Sequence, residues 1–303
     1  LSIALGIILL FGAASAGLLG EMPDFRQLEN PKTNLATQII SADNTILGKF
    51  YFNDNRTPIS FKEIPPEMLE ALIATEDERF FNHSGIDFKG TARAVFYLGE
   101  KGGASTITQQ LARQLFTGIR SRNIVEAVAQ KIKEWVIAVR LEKRYTKNEI
   151  MTMYLNIYDF NYNADGLRSA SSIYFSKKPK DLTISESAML VGMFKNSSLY
   201  NPRPKRNPIG TKNRRNVVLG QMAKYGYIKE ALKDSLQKQP LGLNYSPESH
   251  REGIATYFRS YLRGFMKQWV NNPLNRNPNG DKYNIYKDGL KIHTTIDSRM
   301  QTF

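Results

Sequence analysis

The chain has no cysteine. That removes a disulfide framework, thiolate catalysis and cysteine-ligated zinc together. It leaves the compartment open, because a cysteine-free chain survives anywhere. Histidine is scarce: His83, His250 and His293 stand far apart, and no HExxH pair occurs. A zinc enzyme is therefore not expected. Acidic residues are outnumbered, 28 Asp and Glu against 42 Lys and Arg, for a formal charge of +14. Such an excess asks for an anionic partner: nucleic acid, a phosphorylated substrate or an acidic membrane surface. Charge alone does not choose among them.

Charge is missing altogether from residues 1–20. About 20 apolar residues let a helix cross a bilayer. A secretory signal cleaved at Ala14-Ser15-Ala16 is the competing reading. Cleavage there would leave an apolar Gly17-Leu18-Leu19-Gly20 start, so a retained anchor is preferred. On both readings the remainder of the chain is exported. With neither an initiator Met nor a basic flank before the anchor, the chain is expected to be truncated in front.

What remains is ordinary globular protein. The 303 residues are 41% hydrophobic and 23% charged, enough for one large domain or two smaller ones. Residues 38–46 read as a short hairpin. Residues 60–75 read as a turn and a helix, with Pro65 and Pro66 at its start. From about 88 to 235 the signals are helical. Residues 123–143 put Val128, Ile132, Val136 and Val139 on one stripe and Ile137 and Leu141 opposite, so this helix is expected to be buried. Thr146 and Glu149 form a capping box for the next helix. Further helices are expected over 182–193, 213–225 and 229–237, with a Pro-rich basic loop at 200–210. Residues 271–281 form a polar linker, and 291–296 alternate like a strand that cannot bury a face alone.

Three segments carry chemistry. Residues 76–85 (EDERFFNHSG) end an apolar helix in a polar cluster. Phe80 and Phe81 would seat its carboxylates against apolar surface, where a carboxyl becomes a better general base. His83 is a ligand, a base or a hydrogen-bonding scaffold residue. Residues 102–113 (GGASTITQQLAR) are a glycine loop opening a helix. Thr106 and Gln109 have capping-box spacing, and free N–H groups at such a helix start suit phosphate. No GK[ST] follows, so this is not a Walker loop. Ser105, Thr106, Gln109 and Gln110 together offer more hydrogen bonding than capping needs, which suits a sugar or a pyrophosphate. Residues 130–135 (QKIKEW) lie on the long helix, with Glu134 facing a cleft and Lys131 as its candidate partner. Lys133, Arg140, Lys143 and Arg144 keep this helix basic.

These segments resemble the peptidoglycan glycosyltransferases, family 51. The first motif, EDxxFxxHxG, matches Glu76, Asp77, Phe80, His83 and Gly85. The second, GxSTITQQLxK, matches Gly103 and Ser105 through Leu111, with Arg113 where Lys is usual. The third, RKxxE, matches Lys131 and Glu134, but Gln130 stands where Arg is expected. The fourth, KxxILxxYLN, matches Lys147, Ile150, Tyr154, Leu155 and Asn156, with Met151 for Leu. A fifth element resembles Gly166-Leu167 through Ala170, Tyr174 and Phe175. Residues 289–297 look like the start of a transpeptidase domain, without an ordered SxxK/SxN/KTG set, so no penicillin-binding site is expected.

The resemblance implies a mainly α, lysozyme-like glycosyltransferase domain over 21–245, with part of it dipping into the outer leaflet. A transmembrane anchor at 1–20 precedes it, and 246–303 form a short β-containing linker and the start of a truncated transpeptidase region. It implies lipid II as substrate, with the growing glycan strand, the membrane and other cell wall synthesis proteins as partners, and no nucleic acid. The expected location is the bacterial inner membrane, single-pass, with the catalytic domain outside. Glu76 would be the general base. Glu134, Lys131 and Arg113 would hold the leaving pyrophosphate, with Lys133 or Arg140 covering for Gln130. Ser105, Thr106, Gln109 and Gln110 would line the donor side, and Asp77, His83 and Asn156 complete the substrate-binding set. No cofactor is required by the resemblance; it allows a divalent cation, Mg or Mn, held by Glu134 through the pyrophosphate. Two rivals stand beside it. A lysozyme-like hydrolase or lytic transglycosylase needs a proton donor and has no use for clustered cations near Glu134. A non-catalytic, membrane-tethered glycan-binding module has no need of both carboxylates.

Overall fold

The computed structural model describes residues 12, 36–50, 58–97, 103–118, 120–203, 206–246, 254–278, 280–286 and 288–301. The expected anchor at 1–20 lies outside them, residue 12 excepted. Among the described residues, no helix is long and apolar enough to cross a membrane.

Ten helices and three strands follow in chain order among these residues. β1 (Thr37–Ile40) and β2 (Ile46–Phe50) form the expected hairpin. α1 (Pro66–Glu76) starts on Pro65 and Pro66, whose fixed φ and missing N–H suit a first turn. Then come α2 (Phe88–Phe96), α3 (Ile107–Ala112), α4 (Ile124–Arg144) and α5 (Lys147–Ile157). α6 (Gly166–Phe175), α7 (Ile184–Met193), α8 (Pro208–Lys224) and α9 (Glu230–Lys238) complete the main body. The α5 capping box forms as the spacing predicts, with Thr146 N donating to Glu149 Oε2 at 2.7 Å. α8 begins five residues before the expected 213, because Asn207 caps it and Pro208 takes the first position.

The main core is helix on helix. α1 packs against α7 and α8, and α3 against α4 and α5. Met68, Leu72, Leu111, Leu155, Leu190 and Leu219 are fully buried within it. α4 departs from the expectation of burial along its length. Val136, Ile137, Ala138 and Leu141 are buried, but Ile124, Val125 and Val128 are exposed. Its first turns run beyond the core.

The expectation of an unsupported strand near the end is corrected. β3 (Lys291–His293) pairs in parallel with β1, Gln38 opposite Lys291 and Ile40 opposite His293. The sheet order is β2-β1-β3. A helix without a sequence-based expectation, α10 (Thr256–Asn271), lays Leu262 and Met266 against Ile39, Leu47 and Phe50. This forms a second, smaller core, built from residues on both sides of the expected boundary at 245.

Candidate active site

Glu76 closes α1, and its side chain is only 15% exposed. Gln110 Nε2 donates to Glu76 Oε2 at 2.9 Å, and Arg214 Nη2 lies 3.8 Å from Oε1. Burial pushes the Glu76 carboxyl above the ordinary carboxylate range. The Gln110 hydrogen bond and the charges of Arg214 and Arg113 pull it back, and Asp77 adds to the rise. A carboxylate so placed accepts a proton more readily than one in water.

Tyr154 decides which way Gln110 faces. Its fully buried phenol is held well above its usual pKa by burial and then by the Glu76 charge. It therefore stays protonated and donates to Gln110 Oε1 at 2.7 Å. With Oε1 committed as acceptor, the amide nitrogen is turned to Glu76.

Lys131 organises the second carboxylate. Its Nζ donates to Ser105 Oγ at 2.9 Å, Gln109 Oε1 at 2.8 Å and Glu134 Oε2 at 3.1 Å, using all three protons. Glu134 is buried, only 2% exposed. Burial lowers the Lys131 pKa, Glu134 opposes that, and the charges of Arg120 and Arg113 lower it further. The two adjacent glutamines thus divide the work. About 100° apart on α3, Gln109 holds Lys131, the partner of Glu134, and Gln110 holds Glu76. The wholly buried α3 is a wedge linking both carboxylates.

Asp77, His83 and Asn156 have internal partners. His83 Nε2 sits 3.0 and 3.1 Å from the Asp77 oxygens, and Gly85 N donates to His83 Nδ1 at 3.2 Å. The neutral ring proton is therefore on Nε2, facing Asp77. Asp77 Oδ2 also accepts from Ile107 N at 3.0 Å, which pins the start of α3. Asn156 binds the Ile59 backbone with both ends of its amide, at 2.9 and 3.0 Å. Thr106 Oγ1 accepts from Gln109 N at 3.1 Å and donates to Gly85 O at 2.8 Å, while Gln109 Nε2 reaches the same carbonyl at 3.0 Å. The helix start that suits phosphate in the sequence has part of its capacity taken up internally. α3 has six residues, and Asp77 and Thr106 already occupy two of its first N–H groups.

Arg113 lies at the junction of α3 and a π turn, Arg113–Thr117, with its charge felt by both Glu76 and Lys131. Single π turns concentrate at functional sites. Lys133 and Arg140 lie about 100–120° around α4 from Glu134, on a different face from Lys131. Gln130 Oε1 accepts from Ser121 N at 2.9 Å, pinning the segment before α4. That anchor sits beside Arg120, a cation that no motif singled out. Arg214 carried no such signal either: it meets Glu76 across the fold from α8, far away in sequence. Among the described residues, no three His, Asp or Glu side chains converge on a metal position. Glu134 offers one carboxylate, already paired with Lys131, so the described residues do not by themselves supply the ligand set of a divalent ion.

Residues 43–223 match the family described as Transglycosylase. The chain is 35% identical to penicillin-binding protein 1A of Escherichia coli (strain K12), over 93% of its own length and 31% of that protein's. It is 36% identical to penicillin-binding protein 1F of Bacillus subtilis (strain 168), over 82% of its length and 33% of that protein's. A crystal structure of penicillin-binding protein 1A from Haemophilus influenzae aligns with 89% of this chain and 28% of that one, at 23% identity and a TM-score of 0.44. The chain spans about a third of the length of the curated relatives it matches. It belongs to the transglycosylase family, as a glycosyltransferase region.

Proposed function

We propose that this chain polymerises lipid II into β-1,4-linked glycan with inversion and release of undecaprenyl pyrophosphate. The carrying observation is the desolvated Glu76 carboxylate, linked through α3 to a cation cluster around Lys131. Glu76 takes the proton from the acceptor 4-hydroxyl, and that oxygen attacks C1 of the donor sugar. A pyrophosphate leaving group needs cations rather than a proton donor. Lys131, Arg113 and Arg120 supply them. Glu134 favours the charged form of Lys131 and opposes the burial that lowers its pKa. Ser105 and Gln109 fix the ammonium in place, and Asp77, His83 and Asn156 hold the frame. A divalent ion, if one takes part, draws most of its ligands from pyrophosphate and water.

The exposed apolar side chains favour work at a membrane. Phe88 is 68% exposed, Phe96 80%, Ile124 81% and Val125 77%. Large apolar side chains left this exposed, two on α2 and two at the start of α4, are the kind that interaction surfaces use. They support a domain dipping into the outer leaflet of the inner membrane, beneath an anchor at 1–20, among other cell wall synthesis proteins.

The test is incubation of the chain in detergent with labelled lipid II, followed by gel analysis. Long polymer is expected, reduced roughly 10²–10⁴-fold by Glu76→Gln. Shortened glycan from pre-formed peptidoglycan, with no polymer from lipid II, overturns the reading in favour of a hydrolase.

A further inference from the structure

Arg214 is built into the site from α8. It leaves α8 past Gly192 of α7. A Cβ added at Gly192 would meet Arg214 Cγ at 3.1 Å. The glycine therefore makes room for the arginine stem. Arg214 Nε donates to the Gly192 carbonyl at 3.3 Å, which fixes the guanidinium. Its Nη2 then stands 3.8 Å from Glu76 Oε1, with both side chains mostly buried. At that separation the pair is an ion contact without a hydrogen bond. Gln110 holds the other oxygen, so the carboxylate is braced on both sides.

We infer that Arg214, seated by Gly192, is a positioning residue that keeps Glu76 ionised and oriented as the base. The inference rests on the proposed role of Glu76. The physical case is a balance. Burial makes Glu76 a better base but favours its protonated, useless form. A short bidentate Arg contact would stabilise the anion so far that it no longer takes a proton. A cation held back at 3.8 Å lies between these extremes. The other groups facing Glu76 are Asp77 beside it, Gln110 and Arg113 from α3 and its π turn, and Tyr154 of α5 with Tyr158 just past its end. Of the two cations, Arg214 has the larger influence on Glu76.

The sign is fixed. Removing the positive charge favours the protonated carboxyl, so the acid limb of the rate must move to higher pH. The experiment measures lipid II polymerisation at saturating substrate across pH. It compares wild type, Arg214→Gln, Arg214→Lys and Gly192→Ala, with Glu76→Gln in parallel. In Arg214→Gln the rate at the acid end, relative to its own plateau, is expected to fall about threefold or more. Lys restores most of that ratio. Gly192→Ala keeps every charge but displaces the guanidinium, and moves the limb the same way. KM for lipid II stays unchanged in each. An equal loss at every pH in Arg214→Gln, or an unmoved limb in Gly192→Ala, overturns the inference. Should Arg214→Gln not fold, Gly192→Ala decides. A Glu76→Gln enzyme with full activity would instead remove the base itself, whatever the Arg214 variants do.

Discussion

The Lys131–Glu134 pair shows how much a single residue's worth depends on its partner. Glu134 is almost wholly buried, and Lys131 Nζ is the cation within 3.1 Å of it. Removing one member of such a pair strands the other, which typically costs about 3–5 kcal/mol. Replacing both by apolar groups of similar volume is often neutral or better. Lys131→Met should therefore lower the urea midpoint strongly, whereas Lys131→Met with Glu134→Leu should recover most of the loss. Neither variant should make polymer. A double variant no more stable than the single one would show that the pair's burial is not what sets the stability. The pairing was legible in sequence from the three-residue spacing on a helix. The split between Gln109 and Gln110 was within reach of the 100° helix step, but it needed Tyr154 and Lys131 on either side to give it meaning. Arg214 was not legible, because its meeting with Glu76 is a product of α8 packing on α1.

Among elements, the contact that sets the site is the loop between α1 and α2 against α4. Gly85 has φ of +91°, a conformation that side-chain-bearing residues rarely adopt. Its absent Cβ would lie 2.8 Å from the Ala138 carbonyl carbon on α4. The Gly85 carbonyl accepts from Thr106 and Gln109, and its N–H holds His83. Lys147 of α5 closes the same loop, donating to His83 O at 2.7 Å and to Glu142 Oε1 at 2.8 Å. Gly85→Ala must therefore either strain its backbone, at a cost on the order of 1–3 kcal/mol, or shift α4 and with it Lys131 and Glu134. A thermal melt should show the loss, and polymerisation should fall further than the melt alone explains. A variant that melts early but works at full rate below its transition would mean that α4 placement is not set here. α4, α5 and α7, capped by Asn123, Thr146 and Thr183, were legible in sequence close to their true starts, whereas the start of α8, capped by Asn207, was missed by five residues. α10 was not legible, because Ala255, in a left-handed conformation before it, makes no side-chain cap and leaves no start signal.

At the scale of the whole molecule, two cores share one chain. The larger holds both carboxylates. The smaller joins residues near each end: β1 and β3 pair although some 250 positions separate them, with Leu290 N donating to Thr37 Oγ1 at 3.1 Å and Ser298 Oγ to Asp43 Oδ2 at 2.6 Å. A pairing between such distant segments has no local signature, which is why the strand at 291–296 read as unsupported. The small core is a three-stranded sheet covered by one helix, and its apolar content is modest. It should therefore open at lower free energy than the main core, as a separate cooperative unit. Leu262→Ala removes a buried side chain from it, at a typical cost of about 2–5 kcal/mol. Amide exchange followed by mass spectrometry should then show faster exchange in 36–50 and 256–293, with α1 and α7 unchanged. Polymerisation should persist, since Glu76, Gln110, Lys131 and Glu134 all belong to the larger body. Equal acceleration across both regions would mean that the two cores unfold as one, and that the base and its cations depend on a sheet that touches neither.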